Sequence, residues 1–281
     1  MAYTNIDDPS AHFQTKTYTG TNNSNGLTND GNSNLQPDFI WIKRRDYDNG
    51  HQLLDSTRGV TKILGSELNS AETTLANRLS SFDTDGFTVE SSSGAFNADG
   101  EPFVAWQWKA TGGTTASNTD GSLTSTVQAN QNAGFSILTY TAADSDEVIG
   151  HGLGVTPDVI IIKRRDAGSS PWTVFFSYLT STNKQMYLNQ TTALDTNNVK
   201  EVGASTFRVS GWQAVAVANG TYVAYCFASK QGYSKFGSYV GTGNVNGPFV
   251  YTGFQPAWLL LKRSDSTTGG NWHIIDNKRS A

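Results

Sequence analysis

Cysteine is almost missing from this chain: one occurs among 281 residues, Cys226, so no disulfide can form within it. Its setting, Tyr222-Val-Ala-Tyr-Cys-Phe, reads as a buried strand in which the thiol is a small apolar filler. Histidine is also scarce, and His12, His51, His151 and His273 lack the spacing of metal ligands. Charged residues make up only 16% and leave a net charge of -4, which argues against a broad basic face for nucleic acid. No apolar run nears the roughly 18 residues of a membrane-spanning helix. The opening MAYTNIDDPS lacks the basic and apolar stretches of a secretory leader. Phosphate-loop, Gly-x-Ser-x-Gly and His-Glu motifs are not present. The expectation is a non-enzymatic protein made in a cytoplasm, with no cofactor, no metal, no nucleic-acid partner and no membrane insertion.

What is abundant is glycine, at 28 residues, and aromatic side chains, at 11%. Short β-branched and aromatic runs bounded by Gly, Asn, Asp and Pro indicate an all-β fold. One segment recurs three times: Pro37-Asp-Phe-Ile-Trp-Ile-Lys-Arg-Arg-Asp46, Pro157-Asp-Val-Ile-Ile-Ile-Lys-Arg-Arg-Asp166 and Pro256-Ala-Trp-Leu-Leu-Leu-Lys-Arg-Ser-Asp265. Such self-similarity marks a chain built from equivalent units. Tyr18, Tyr140 and Tyr239 stand 19, 17 and 17 residues ahead of these prolines. Phe87 and Phe207 each follow theirs by 50, and the runs opening at Phe103 and Tyr222 follow by 66 and 65.

The reading is therefore tandem antiparallel β-sandwich modules, jelly-roll or concanavalin-like. Residues 1-112 form the first, 113-132 a Ser/Thr/Asn/Gly-rich linker, 133-230 the second, and 231-281 the start of a third. The closing run of the third copy falls beyond Ala281, so we expect about 40 to 50 further residues of that unit, or strands supplied by another chain. In each copy the signature strand, buried on both faces, is followed by a hairpin partner beginning near His51, Trp172 and Trp272. Asp85-Gly86 marks another hairpin, and residues 67-79 carry the only helical spacing, fitting a short helix or an ordered loop.

Each candidate site has a plain structural reading beside it. Lys43, Lys163 and Lys262 with their arginines would suit a polyanion, but each run ends in an aspartate, Asp46, Asp166 or Asp265. That favours a solvated strand end with local ion pairing and a fold-determining role for the repeated residues, Pro37, Pro157 and Pro256 included. Asp83-Thr-Asp85-Gly86 and Asp144-Ser-Asp146-Glu147 have the carboxylates of a calcium loop, yet turn chemistry accounts for them without metal. Trp41, Trp106, Trp108 and Trp258 lie in apolar runs and read as core. Trp172 and Trp272 follow a polar loop and are the better candidates for an exposed ligand-stacking surface.

The opening MAYTNIDDPSAHFQTKTYTG, the PDFIWIKRRD segment, Ser81-Phe-Asp-Thr-Asp-Gly-Phe-Thr-Val, Val-Ala-Trp-Gln-Trp-Lys-Ala and Lys235-Phe-Gly-Ser-Tyr-Val-Gly together resemble virion structural, tail-fibre-like proteins of tailed bacteriophages, particularly marine ones. The resemblance implies a place in the virion, in the tail, and assembly with other virion proteins. It implies a homo-oligomer, with a trimer expected, and weak multivalent contact with a host-surface glycan or envelope protein. Sandwiches joined by short linkers would build an elongated rod. Two competing roles are a capsid-decorating protein and a glycan depolymerase.

Overall fold

The computed structural model describes residues 4-90, 94-181, 183-265 and 270-279. The chain is all-β, with several antiparallel sheets and no barrel. The first module contains β1 (Phe13–Thr19), β2 (Asn25–Thr28), β3 (Phe39–Arg44), β4 (Gln52–Asp55), β5 (Lys62–Ile63), β6 (Thr73–Thr74), β7 (Leu79–Asp83), β8 (Gly86–Val89) and β9 (Pro102–Trp108). The order β1-β9-β3-β4 makes a large sheet and β2-β8-β7 a small one, with β5 and β6 forming a separate ladder. Tyr18, Ile40, Ile42, Leu54, Phe103 and Ala105 of the large sheet meet Leu27, Leu79, Phe87 and Val89 of the small one in a dry interior.

The second module repeats this plan with β10 (Ala116–Asn118), β11 (Ser125–Asn130), β12 (Phe135–Thr141), β13 (Asp146–Gly150), β14 (Val159–Arg164), β15 (Thr173–Phe176), β16 (Gln185–Tyr187), β17 (Val199–Lys200), β18 (Thr206–Ser210) and β19 (Thr221–Phe227). Its large sheet runs β10-β11-β12-β19-β14-β15-β16 and its small one β13-β18-β17. The registers coincide: Ile42 pairs with Ala105 as Ile162 does with Ala224, and Tyr18 with Phe103 as Tyr140 does with Tyr222. Both aromatic pairs stack, with centroids 5.1 and 4.9 Å apart. The residues of 113-132, expected as a linker, add β10 and β11 to the second sheet. Val127 is buried there, so the segment has an apolar anchor despite its polar composition. Residues 67-78 are loop and the two-residue β6, as the ordered-loop reading has it, and Leu79 opens β7.

Of the third repeat, the described residues form one hairpin, β20 (Trp258–Leu261) with β21 (His273–Asp276). It matches β3-β4 and β14-β15, so all three signature segments open an equivalent strand two residues after their proline. The Asp85-Gly86 turn joins β7 to β8 as expected. Gly86 has φ +110, and a Cβ there would lie 1.9 Å from the Leu27 carbonyl oxygen, a position only glycine fills.

The modules are not beads on a string. Side chains alternate along a strand, and Phe39 and Trp41 point away from the first interior. They enter a second core with Val104, Trp106 and Trp108 from the first module and Phe135, Ile137, Val159, Ile161, Val174 and Tyr225 from the second; Trp258, Trp272 and Ile274 of the third hairpin pack on it. The two large sheets therefore lie face to face, which corrects the elongated rod expected from linked sandwiches. The apolar runs of β3 and β14 are continuous because both faces are dry, each large side chain contributing about 1.5–3 kcal/mol by burial.

A shared core couples the two complete modules. Differential scanning calorimetry is expected to give one transition for modules one and two, with calorimetric and van't Hoff enthalpies in agreement; two resolved transitions would contradict the shared interior.

Candidate functional site

The repeated polar residues converge on the seams between modules. The first arginine of each signature segment pairs with the aspartate two residues on: Arg44 Nε–Asp46 at 2.7 Å, Arg164 Nε–Asp166 at 3.0 Å and Arg263 Nε–Asp265 at 2.6 Å. This is the local ion pairing expected of the strand ends. The lysines behave differently. Lys43 reaches its own turn at the Tyr47 carbonyl, 2.9 Å away. Lys163 is buried and donates to the carbonyls of Ser170, 2.5 Å, and of Asn69 in the first module, 3.1 Å. Lys262 likewise donates to Gly270 and, across the seam, to Gln190 of the second module. The solvated reading therefore fails for Lys163. The long stem passes through the core while its ammonium finds carbonyl partners. Burial lowers its pKa to about 8.

Trp172 is buried, with its Nε1 donating to the Gly65 carbonyl of the first module at 2.8 Å. Trp272 is half-buried and donates to the Tyr187 carbonyl of the second module at 2.9 Å. The exposed stacking surface expected of Trp172 is thus corrected: its ring fills the inter-module core, and the indole N–H is satisfied across it. Trp172 and both lysines reach from one module into the loop after β5 or β16 of the module before, and Trp272 reaches the last residue of β16. The backbone repeats the pattern, Glu72 N donating to the Arg165 carbonyl and Leu194 N to the Ser264 carbonyl.

An Asp-x-x-Arg pair that the sequence reading missed forms the other half of the seam. Asp55 Oδ2 accepts from Arg58 Nε at 2.5 Å and from the Tyr225 hydroxyl of the second module at 2.7 Å. Asp276 Oδ2 accepts from Arg279 Nε at 2.5 Å and from Trp106 Nε1 of the first module at 3.0 Å. Arg58 Nη2 reaches the Leu53 carbonyl and Arg279 Nη2 the Ile274 carbonyl, the same offset in both copies. Arg58 has no exposed side-chain surface. Burial works against its charge, but Asp55, Tyr225 and Glu72 more than compensate and hold its pKa above the ordinary value. Glu72 carries the network on to Arg165 of the second module, 2.9 Å away.

These contacts obey one cyclic rule. The aspartate of module one takes the aromatic of module two's closing strand, and that of module three takes the aromatic of module one's. Phe39 of the first module sits 6.3 Å from Phe135 of the second; Trp258 of the third sits 6.3 Å from Phe13 of the first. Lys278 pairs with Asp30 across the same closing seam. Module three thus returns to module one, and the chain folds as a pseudo-threefold ring around the shared core. In module two Phe176 stands where Asp55 and Asp276 stand in the others.

The remaining candidates carry turn or packing roles. Asp83 accepts from Ser81 and Thr88, Asp85 from the Leu35 amide, and Glu147 from the amides of Ala143 and Asp144. Asp146 pairs with Arg208. Among the described residues no group of three or more His, Cys, Asp and Glu is placed to hold a metal. His51 is held neutral, its pKa lowered to about 4 by burial and by the charges of Lys43 and Arg279. Burial pushes the Cys226 thiol up to about 12. Among the described residues no helix is long and apolar enough to cross a membrane.

A family described as Domain of unknown function (DUF7483) matches residues 8–281. No curated protein and no solved structure matches the chain.

Asp55→Ala leaves the buried Arg58 short of its main partner and is expected to cost about 3–5 kcal/mol in urea unfolding. Asp46→Ala, at an exposed pair, is expected to change little. Equal effects from the two would contradict the structural weight of the seam. Lys163 has a folded pKa of about 8, below the 10.5 of a free lysine. The unfolded chain therefore binds more protons between those values, and stability from this group rises with pH across that window. Relative to Lys163→Met, the native protein is expected to gain stability from pH 8 to about 10.5; parallel curves would show that the ammonium is not desolvated.

Proposed function

We propose that this chain, which belongs to the DUF7483 family, is a non-enzymatic structural protein of a tailed-phage virion, placed in the tail fibre or a tail-attached adhesion apparatus. The observation that carries the reading is the use made of the repeated polar residues. Lys163, Lys262, Trp172, Trp272, Asp55 and Asp276 are spent on contacts between modules, the pattern of a body evolved to hold its shape. The resemblance of the signature segments to virion structural proteins supplies the setting. Three-module bodies in many copies would engage other virion proteins and a host-surface glycan or envelope protein through weak contacts that add by number.

A capsid-decorating role is the second reading, favoured by one observation: the large sheets pack face to face, giving a compact body in place of a rod. Such a body suits lateral contact with a shell as well as it suits a fibre.

Gold-labelled antibody against the protein, applied to purified particles of the phage that encodes it, is expected to decorate the tail. Decoration over the head would transfer the assignment to the capsid, and particles free of label with label in the unassembled fraction would remove the virion role. Release of reducing ends from host polysaccharide by the pure protein would instead establish a depolymerase.

A further inference from the structure

One residue stands just before the second strand of each signature hairpin. Ile42 pairs with Gln52, Ile162 with Thr173 and Leu261 with His273, so His51, Trp172 and Trp272 occupy a single structural position. Trp172 ties module two to module one, and Trp272 ties module three to module two, through indole N–H groups that do not titrate. In module one, which module three meets at the closing seam, the same position is a histidine.

Trp41 Nε1 donates to His51 Nδ1 at 2.8 Å. An indole N–H only donates, so Nδ1 is unprotonated while the bond stands. The His51 ring stacks on Trp106, with centroids 6.5 Å apart. The Arg279 guanidinium of module three lies over that same indole, 5.0 Å from its centroid, and Asp276 accepts from both Arg279 and the Trp106 N–H. Charged groups reach His51 from every element packed on it. Lys43 comes from β3 and Arg279 from the loop after β21, while Glu67, in the loop after β5, accepts the His51 amide at 3.1 Å. Asp276 is held on the Trp106 indole that His51 stacks on. A proton on Nδ1 would turn two donors against each other and set a third positive charge beside Lys43 and Arg279.

We propose that His51 is an acid-sensitive latch on the closing seam: neutral, it seats Trp41 and Trp106 against the third module; protonated, it repels Arg279 and releases the third hairpin from module one, opening the ring. Burial, with the charges of Lys43 and Arg279, lowers the folded pKa from 6.5 to about 4. The released form binds the proton more readily. This group's contribution to the seam is therefore complete above pH 6.5 and is lost as the pH falls through about 4. Burial works against the charge of Asp276, but bonds from the Arg279 amide, from Trp106 and from the Arg279 side chain hold its pKa below the ordinary value. The carboxylate thus keeps its charge while His51 gains one.

Solvent exchange of the Trp106 indole N–H, read by NMR on the intact chain and corrected for the intrinsic effect of pH, reports opening of this seam. Opening is expected to rise about tenfold or more between about pH 7 and 4, measured relative to His51→Asn, whose side-chain oxygen accepts from Trp41 without titrating. The His51 ring of the native protein is expected to titrate near pH 4, a measurement that needs no variant. Ring titration at the unperturbed value of about 6.5, an equal acid response in His51→Asn, or opening at the Trp172 N–H as large as at Trp106 would each overturn the proposal.

Discussion

A sheet buried on both faces needs two apolar partners, and that requirement organises this molecule. The signature strands β3 and β14 send Ile40 and Ile42, or Ile160 and Ile162, into their own sandwich and Phe39 and Trp41, or Val159 and Ile161, into the core between modules. A sandwich of this kind standing alone would leave a large aromatic face in water, which isolated monomers avoid. Packing the large sheets together removes that face. The pseudo-threefold ring follows from the two large sheets and the third hairpin sharing one interior.

Apolar packing alone does not fix the angle at which sheets meet, and the seam's polar groups supply that specificity. Asp55 with Arg58 and Tyr225, and Asp276 with Arg279 and Trp106, place directional bonds at equivalent points of two junctions. Buried ion pairs add little net stability when fully satisfied, but a displaced sheet would strand a charge in a dry core. In the middle module Phe176 takes the position of the aspartate and lies in the shared core. Lys163 and Lys262 serve the opposite edge, tying each signature strand to the loop of the preceding module.

Much of the architecture was legible in the sequence because the repeat is a strong signal. Pro37, Pro157 and Pro256 located the three equivalent strands, and the offsets of Phe87 and Phe207 located the small sheets that pack on two of them. The all-β class and the hairpins after each signature segment followed from alternation and turn residues. How modules meet was not legible, since a run such as Ile160-Ile161-Ile162 is equally apolar whether its second face meets a neighbour in the same chain or in another. The burial of Trp172 is hidden from the sequence for a related reason: the polar loop before it suggests exposure, while the carbonyl that receives its indole N–H belongs to another module; Trp272, half-buried, makes the equivalent bond, and both partners lie more than 80 residues away. The Asp-x-x-Arg pairs left a faint trace, present as Asp55-Ser-Thr-Arg58 and Asp276-Asn-Lys-Arg279 but broken in the middle copy.

Closure of the ring is the claim on which the rest turns, and distances between modules test it directly. Asp46, Asp166 and Asp265 occupy the same place in the three signature segments. Substituting them pairwise by cysteine, with the buried Cys226 replaced by serine, allows spin labels to be read by double electron–electron resonance. Three closely similar distance distributions are expected from a threefold arrangement. A separation between positions 46 and 265 far longer than the other two would describe a linear array and contradict the ring.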